Sequence, residues 1–346
     1  MELTFSNYRV HLKHTFGISR SSYEYYDRLL IFLHDKEIIG RGEAAPSERY
    51  NESTEENLMV LKEGINIPYK SPDSIKDLMK VIYPQLGNRK SLKAAFSMAI
   101  WDWWSQKNNK PLNHLLGFKK KVLHKTSFTI AIGSLDQIKN KIEDAKPYDI
   151  LKVKLGTPDN DKNIIREIRK YTDKLIRVDA NEGWDYHTAL DMCKWLKDYN
   201  IEFVEQPFSA SMLKESKDLK KKSPLDIYAD ENSIKSKDVR KIKDAFDGIN
   251  IKLMKCGSIE DAILMIKEAR KFDLKVMLGC MVETSIGITA ASHLASEVDK
   301  IDLDGNLLIK NDPFSGVKIN QKGYLEMPKL NGLGLTLNSN YKNMLI

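Results

Sequence analysis

The strongest constraint on the fold is a repeating unit that begins near Lys125: a short apolar segment, a polar turn and an amphipathic helical pattern. Chains that alternate strand and helix form parallel sheets with right-handed crossovers. Eight such segments start about 25 residues apart, which predicts a closed α/β barrel rather than an open sheet. Segment 284–296 is short for a full helix, so we expect one irregular unit late in the barrel. The predicted strands are residues 127–133, 150–156, 175–181, 203–207, 227–231, 249–254, 275–280 and 301–306.

The chain before the barrel has a different pattern. Residues 2–16 alternate apolar and polar side chains, as a half-buried strand does, and the polar residues 17–26 predict a loop. Strands followed by helices are typical of an α+β domain, which we place at residues 1–115. The barrel then takes residues 125–315, and we expect residues 316–346 to pack back on the first domain. The other predicted elements are strands at 28–34 and 38–44 and helices at 53–64, 71–86 and 91–107.

Two lysines lie on one predicted buried strand. Because side chains alternate along a strand, Lys152 and Lys154 point to the same side. Two ammonium groups on one buried face repel each other and are costly to remove from water. The sequence therefore requires acids or an anionic ligand nearby.

Acidic side chains end the next three predicted strands. Asp179, Glu205 and Asp230 occupy equivalent positions in successive units. The intervals from Lys154 through these acids to Lys252 are 25, 26, 25 and 22 residues, one barrel unit each. Because the carboxyl ends of barrel strands meet at one face, these groups should form a ring there. Three carboxylates offer only hard oxygen ligands, which favour Mg²⁺.

Lysines flank this acid trio on both sides. A lysine acts as a base near neutral pH when burial and nearby positive charge lower its pKa, and Lys152 with a metal ion supplies that condition for Lys154. Lys252 lies on the opposite side of the trio. One lysine would remove a proton α to a carboxylate, the metal would stabilise the enediolate, and the other lysine would return a proton from the other face. The pattern thus predicts a racemase or epimerase.

Five motifs, in this order, resemble the muconate-lactonizing subgroup of the enolase superfamily: Lys-x-Lys at 152–154, Asp-Ala-Asn at 179–181, Glu-Gln-Pro at 205–207, Ala-Asp-Glu at 229–231 and NIKLMKCG at 250–257. This superfamily uses a Lys or His base with Mg²⁺. Within the subgroup, CMVET at 280–284 and the pair Asp302 and Asp304 look like the dipeptide epimerases, such as the Ala-Glu epimerases. The resemblance covers nearly the whole chain. It implies a modified TIM barrel of (β/α)7β type, with an N-terminal α+β capping domain that the C-terminal tail completes.

The resemblance also implies roles for individual residues. The reaction would convert L-Ala-L-Xaa dipeptides to L-Ala-D-Xaa, with Lys154 and Lys252 as the acid/base pair. One Mg²⁺ per subunit would be bound by Asp179, Glu205 and Asp230. The dipeptide would contact Lys152, Thr129, Cys280, Val282 and the ammonium-binding Asp302 and Asp304, and Asn181 and Glu231 would support the metal ligands.

One loop departs from the family pattern. Some Ala-Glu epimerases carry an arginine in the capping domain that reads the glutamate side chain. Here Arg20 stands beside the equivalent position, which Ser21 occupies, and an aromatic stretch begins at Tyr23. The sequence therefore leaves open whether the second residue of the dipeptide is acidic or apolar.

Other activities share much of this machinery. An o-succinylbenzoate synthase or a cycloisomerase would use the same metal ligands and lysines, but neither needs two acids to bind an ammonium. An N-acylamino acid racemase is a further alternative. A barrel that only binds a ligand would have no use for a complete metal trio and three lysines.

Composition excludes several other classes. The net charge of +7 comes largely from lysine clusters without interleaved aromatics, which argues against nucleic-acid binding. No apolar run approaches the ~20 residues that span a bilayer, and no Gly-x-Gly-x-x-Gly follows the first barrel strand. The three cysteines are scattered, which favours a cytoplasmic protein. The sequence is compatible with a homo-oligomer but does not specify one.

Overall fold

The computed structural model describes residues 1–19, 21–68, 73–118, 120 and 124–341. In them the chain forms an antiparallel sheet followed by a larger parallel sheet, with two small strand pairs near the end. None of the helices in these ranges is both long and apolar enough to cross a membrane.

The N-terminal sheet is a long hairpin with a third strand beside it. The loop predicted at residues 17–26 is wrong, because both strands of the hairpin continue through it to the pair Ile18 and Ser21. The aromatic residues of this stretch favour extended backbone, and Phe16 pairs directly with Tyr23. The strands are β1 (Glu2–Ile18), β2 (Ser21–Asp35) and β3 (Ile38–Ala44).

Helices follow the sheet, as predicted. The side chain of Ser53 caps the first helix by accepting a hydrogen bond from Glu56 N at 3.2 Å. The second helix is shorter than predicted, because it begins after the cap Ser74 and its end tightens into a 3₁₀ turn that contains Pro84. Its predicted start at Ser71 lies outside the described residues. The helices are α1 (Thr54–Glu63), α2 (Ile75–Ile82), α3 (Lys90–Lys107) and the single turn α4 (Leu112–Leu115). We call residues 1–115 the cap.

The barrel contains eight parallel strands that neighbour each other in chain order. They are β4 (Ser127–Ile130), β5 (Ile150–Lys154), β6 (Leu175–Asp179), β7 (Ile201–Glu205), β8 (Asp226–Ala229), β9 (Gly248–Ile251), β10 (Lys275–Gly279) and β11 (Lys300–Asp302). The helices between them are α5 (Ile138–Asp144), α6 (Pro158–Arg169), α7 (Tyr186–Leu196), α8 (Leu213–Lys222), α9 (Ser236–Ile242), the single turn α10 (Leu253–Cys256), α11 (Ile259–Lys271) and the short α12 (Ser285–Ser292).

The barrel closes between its first and last strands. Thr126 forms a parallel bridge with Ile301, and Ser127 Oγ donates a hydrogen bond to Asp302 Oδ1 at 2.6 Å. Each of the seven connections contains a helix. The predicted fold class, a modified barrel beside an α+β unit, is confirmed. Most predicted strands ran one to three residues too far, because polar residues such as Asp230 and Lys252 directly follow the paired backbone.

The interior of the barrel is apolar at one end and charged at the other. Inward-facing residues are two apart along each strand, so Phe203 lies one layer below Glu205, and Tyr228 one layer below Asp230. Phe203, Tyr228 and Met277 form a buried cluster. The rings of Phe203 and Tyr228 stack at 4.2 Å. These side chains plug the amino-terminal end of the barrel.

A buried carboxylate joins the cap to the barrel. Glu43 on β3 is 0% exposed and accepts hydrogen bonds from Thr284 N at 2.9 Å, Thr284 Oγ1 at 2.6 Å and Gly287 N at 3.1 Å. Arg28 on β2 donates from Nε to Val282 O at 2.7 Å. The cap therefore holds the start of α12 and the segment that precedes it.

The segment after the last barrel strand pairs with the edge of the N-terminal sheet. Lys13 N donates to Leu308 O at 2.8 Å, and Lys310 N donates to His11 O at 2.8 Å. The first strand thus pairs with residues that follow the last barrel strand.

The tail contacts the cap and the barrel. Leu333 N donates to Asp102 Oδ1 on α3 at 2.7 Å, and Thr126 N donates to Gly323 O at 2.9 Å. The three-part division of the chain stays a prediction. The strands near the tail are β12 (Phe314–Ser315), β13 (Lys318–Ile319), β14 (Leu325–Glu326) and β15 (Thr336–Leu337).

A glycine allows the closest approach between β3 and α3. A Cβ added at Gly42 would lie 1.9 Å from Ala95 O, a backbone atom that cannot turn away. We expect Gly42→Ala to lower the free energy of unfolding by about 1–3 kcal/mol or more, measured by urea denaturation. Gly133→Ala is the matched control, because its Cβ would meet only the flexible ends of Lys141 and Gln137. Equal losses in the two variants would contradict this packing.

Candidate active site

The predicted functional groups meet at the carboxyl end of the barrel. Lys154 ends β5, and Lys252 directly follows β9. In an eight-stranded barrel, strands four places apart lie on opposite walls, so the two lysines face each other across the interior. At the ends of the three strands between them, Asp179 ends β6, Glu205 ends β7 and Asp230 directly follows β8.

The three acids form a compact group of oxygen ligands. Asp179, Glu205 and Asp230 are each at most 1% exposed, and one carboxylate oxygen of each lies within 4.8 Å of the others. Asp179 and Glu205 are direct neighbours across β6 and β7. Three buried carboxylates at this separation fit a hard divalent cation such as Mg²⁺, with water or substrate oxygens as the other ligands.

Lys152 lies among the acids. Its Nζ contacts Glu205 Oε2 at 2.8 Å, Asp302 Oδ2 at 2.8 Å and Asp179 Oδ2 at 3.1 Å. Burial alone would lower the pKa of Lys152, but the surrounding carboxylates outweigh burial and hold it well above its usual value. This lysine is therefore a fixed positive charge beneath the site.

The two opposed lysines each contact one acid of the trio. Lys154 Nζ lies 2.7 Å from Asp179 Oδ2, and Lys252 Nζ lies 2.8 Å from Asp230 Oδ2. Burial lowers the pKa of Lys252, but Asp230 more than compensates, so its net pKa is raised and the ammonium form is favoured. Both lysines are more than nine-tenths buried.

The two aspartates after the last strand differ in their surroundings. Asp302 accepts hydrogen bonds from Lys152 at 2.8 Å and Ser127 at 2.6 Å. Asp304 accepts one from Thr129 N at 2.6 Å through Oδ2. Burial and the charge of Asp302 raise the pKa of Asp304 to about 7. Asp302 is therefore already paired with a lysine ammonium, whereas Asp304 accepts a backbone N–H.

A cavity of about 720 Å³ separates the cap from this end of the barrel. Asp230 reaches it, while Asp179 and Glu205 lie behind its lining. Arg20 lies outside the described residues. The predicted substrate and specificity residues that line the cavity are Thr129, Lys152, Cys280, Val282, Asp302, Asp304, Ser21 and Tyr23.

Two predicted supporting residues also lie at the site. Asn181 N donates to Asp179 Oδ1 at 3.0 Å, and both Asn181 and Glu231 line the cavity. Burial, then the charge of Asp230, raise the pKa of Glu231 to about 8. Burial also raises the pKa of Cys280 well above its usual value, so its thiol is a protonated wall of the cavity.

Three comparisons with known proteins agree with this geometry. Residues 135–341 match the family model "Enolase C-terminal domain-like". The chain is 37% identical over 343 residues to an "L-Ala-D/L-amino acid epimerase" of Maribacter sp., covering 98% of this chain and 100% of that protein. It is 34% identical over 354 residues to a "Hydrophobic dipeptide epimerase" of a Flavobacteria bacterium, covering 99% of each. The crystal structure of the dipeptide epimerase from Cytophaga hutchinsonii, complexed with Mg and the dipeptide D-Ala-L-Val, matches with a TM-score of 0.91 at 27% identity, covering 99% and 97% of the two chains.

This chain belongs to the dipeptide epimerases of the enolase superfamily. The resemblance predicted from the motifs is confirmed, and the alternatives of an o-succinylbenzoate synthase, a cycloisomerase or an N-acylamino acid racemase are not favoured.

The sequence analysis gave no role to two residues that hold the epimerase site together. Lys255, 0% exposed, donates to Asp230 Oδ1, to Asp230 O at 2.6 Å and to Asn250 O at 2.9 Å. Asn250 Nδ2 donates to Glu205 Oε1 at 2.6 Å. One feature of the sequence could have pointed to Lys255: it is a charged residue three positions after Lys252 in an otherwise apolar stretch.

The surroundings of Lys255 generate a stability prediction. Lys255→Met removes the donor from a buried carboxylate and two carbonyls, so we expect the free energy of unfolding to fall by about 3–5 kcal/mol, measured by urea denaturation. Lys217→Met is the control, because Lys217 pairs with Asp244 at 3.3 Å with both side chains at least half exposed. It should change stability by no more than about 0.5 kcal/mol. Similar values for the two variants would show that Lys255 has no such role.

Proposed function

We propose that this protein epimerises dipeptides of the L-Ala-L-Xaa type at the α-carbon of the second residue, with one Mg²⁺ per subunit. The observation that carries the proposal is the placement of Lys154 and Lys252 on opposite walls, with three buried carboxylates at the ends of the strands between them. The names of the relatives support it, as does the Cytophaga hutchinsonii enzyme, which was crystallised with Mg and a dipeptide.

Opposed lysines account for inversion. A substrate α-carbon between Lys154 and Lys252 presents its C–H bond to one lysine in one epimer and to the other lysine in the other epimer. The lysine that faces the C–H bond must be neutral to accept the proton, while the opposite lysine must be an ammonium to donate one.

Asp179, Glu205 and Asp230 would hold the metal ion. When bound, Mg²⁺ supplies positive charge that stabilises the negative charge on the substrate carboxylate during proton transfer. Lys152, held between Asp302 and two of these acids, adds a fixed positive charge below the same position. We assign Asn250 and Lys255 to hold Glu205 and Asp230 in place.

The other end of the dipeptide would bind near Asp304. Its carboxylate lies beside Thr129 and reaches the cavity, and an ammonium is the ligand that a buried carboxylate accepts best. Cys280 and Val282 would form the wall next to it.

We also propose a cytoplasmic location. Cys193, Cys256 and Cys280 are all free, and the first two are buried. Thiols that form no disulfide suit a reducing compartment. A homo-oligomeric state is compatible with the sequence and stays to be measured.

Proton exchange tests the lysine assignment. With Mg²⁺ in D₂O, the wild type should exchange the α-proton of both L-Ala-L-Xaa and L-Ala-D-Xaa, followed by NMR. Lys154→Ala and Lys252→Ala should each lose exchange for a different epimer by about 10²–10⁴-fold, and the double variant should lose both. Lys170→Ala is the control, since Lys170 is exposed and directly follows α6. Exchange that persists in the double variant would eliminate these lysines as the bases.

The ammonium site generates a second test. N-acetylation of the dipeptide removes the charge that Asp304 would bind, so turnover should fall by about 10–100-fold, measured by chiral chromatography. Asp304→Asn should raise KM for the free dipeptide by a similar factor, whereas Asp244→Asn at an exposed position should not. Equal turnover of free and acetylated dipeptides would instead favour an N-acylamino acid racemase.

A further inference from the structure

The turn after strand β6 has an unusual backbone. Asn181 and Glu182 both adopt the left-handed conformation, with φ of 45° and 66°. Few residues other than glycine adopt this conformation, and glutamate is not among those that favour it. Glu182 N donates to Gln206 O at 2.9 Å and Gly183 N to Ala180 O at 2.9 Å, which fixes the turn two residues after Asp179.

Two parts of the cap contact this turn. Arg49 forms a two-pronged ion pair with Glu182, with Nε 2.6 Å from Oε2 and Nη2 2.7 Å from Oε1. Near the hairpin tip, Ser19 Oγ donates to Asn181 O at 3.0 Å. Ala210 N also donates to Glu182 Oε1 at 2.8 Å, so the carboxylate is already held in the orientation that Arg49 meets.

Arg49 lies on a segment, residues 46–51, that is anchored on both sides. Before it, Ala45 N contacts Met254 Sδ at 3.3 Å. After it, Glu52 accepts hydrogen bonds from Lys90 N at 2.6 Å and Ser91 N at 2.9 Å at the start of α3. Ser47, Glu48 and Tyr50 of this segment line the cavity. The segment therefore forms part of the cavity wall between two fixed points.

The two contacts between the cap and the barrel differ in their exposure to water, and this distinguishes a contact that stays closed from one that can open. Glu43, which joins the cap to α12, is 0% exposed. The side chains of Arg49 and Glu182 are 35% and 9% exposed, so water can solvate them when they part. Because Phe203, Tyr228 and Met277 plug the other end of the barrel, a ligand has to pass between the cap and the rim. A contact at this rim that water can reach is suited to open and re-form.

We propose that the ion pair between Arg49 and Glu182 is a latch that holds residues 46–51 against the barrel over the bound ligand. Arg49 and Glu182 are positioning residues, and neither is assigned to the proton transfers. The identity of the ligand as a dipeptide rests on the proposed function, whereas the latch rests on the contacts alone. The guanidinium fork fits the carboxylate better than an ammonium would, so Arg49→Lys should only partly replace it.

Hydrogen–deuterium exchange with Mg²⁺ alone tests the latch without any substrate. Arg49→Ala and Glu182→Gln should each speed amide exchange in peptides that cover residues 46–51 by about tenfold or more, with β3 unchanged. Arg270→Ala is the matched control, because Arg270 pairs with Asp299 at 2.6 Å at the other end of the barrel. Exchange at wild-type rates in Arg49→Ala and Arg49→Lys would overturn the latch.

Steady-state kinetics with a dipeptide substrate are the second test of the latch. We expect Arg49→Ala to raise KM by about 10–100-fold while kcat stays within about threefold, with Arg49→Lys intermediate. The double variant Arg49→Ala/Glu182→Gln should be no worse than either single variant. Additive effects, or a fall in kcat at constant KM, would contradict the latch. A wild type that turns over no dipeptide would refute the proposed function but leave the exchange result to decide on the latch.

Discussion

Charge compensation at the carboxyl end of the barrel is the interaction on which the other features depend. Lysines and acids lie there together with almost no exposure, and an isolated charge in such a place would be prohibitively unfavourable. Each lysine therefore has a carboxylate within hydrogen-bonding distance: Lys152 has three, while Lys154, Lys252 and Lys255 have one each. The strands bring these groups together, and the plug beneath and the cap above limit the water around them.

The sequence was sufficient to predict the features that recur at regular intervals along the chain. The spacing of the apolar segments predicted the barrel, and alternation along one strand placed Lys152 and Lys154 on the same face, where both contact Asp179. The hairpin tip was missed because residues 17–26 are polar, and polarity alone does not distinguish a loop from a strand that reaches over a cavity. The role of Lys255 was missed because a single charged residue in an apolar stretch forms no repeating pattern.

Contacts between distant parts of the chain could not be predicted in this way. Glu43 and Thr284 are 241 residues apart, and Arg49 and Glu182 are 133 apart. Periodicity reports which face of an element is buried, but it does not report which charge on another element will meet it. These two contacts also differ in kind, since one is sealed from water and the other is partly open to it. The cap is thereby fixed at its base near α12 and adjustable at its rim.

The pairing of β1 with residues that follow the last barrel strand constrains how the protein is made. During synthesis, β1 and Glu43 leave the ribosome long before Leu308 and Thr284, which pair with them. Until those residues exist, the edge of the sheet is unpaired and the carboxylate of Glu43 must stay hydrated. The N-terminal part therefore cannot reach its final packing ahead of the barrel, although domains generally fold in the order of synthesis. A nascent chain stopped within the barrel would carry an exposed strand edge, which is the surface that chaperones protect from aggregation.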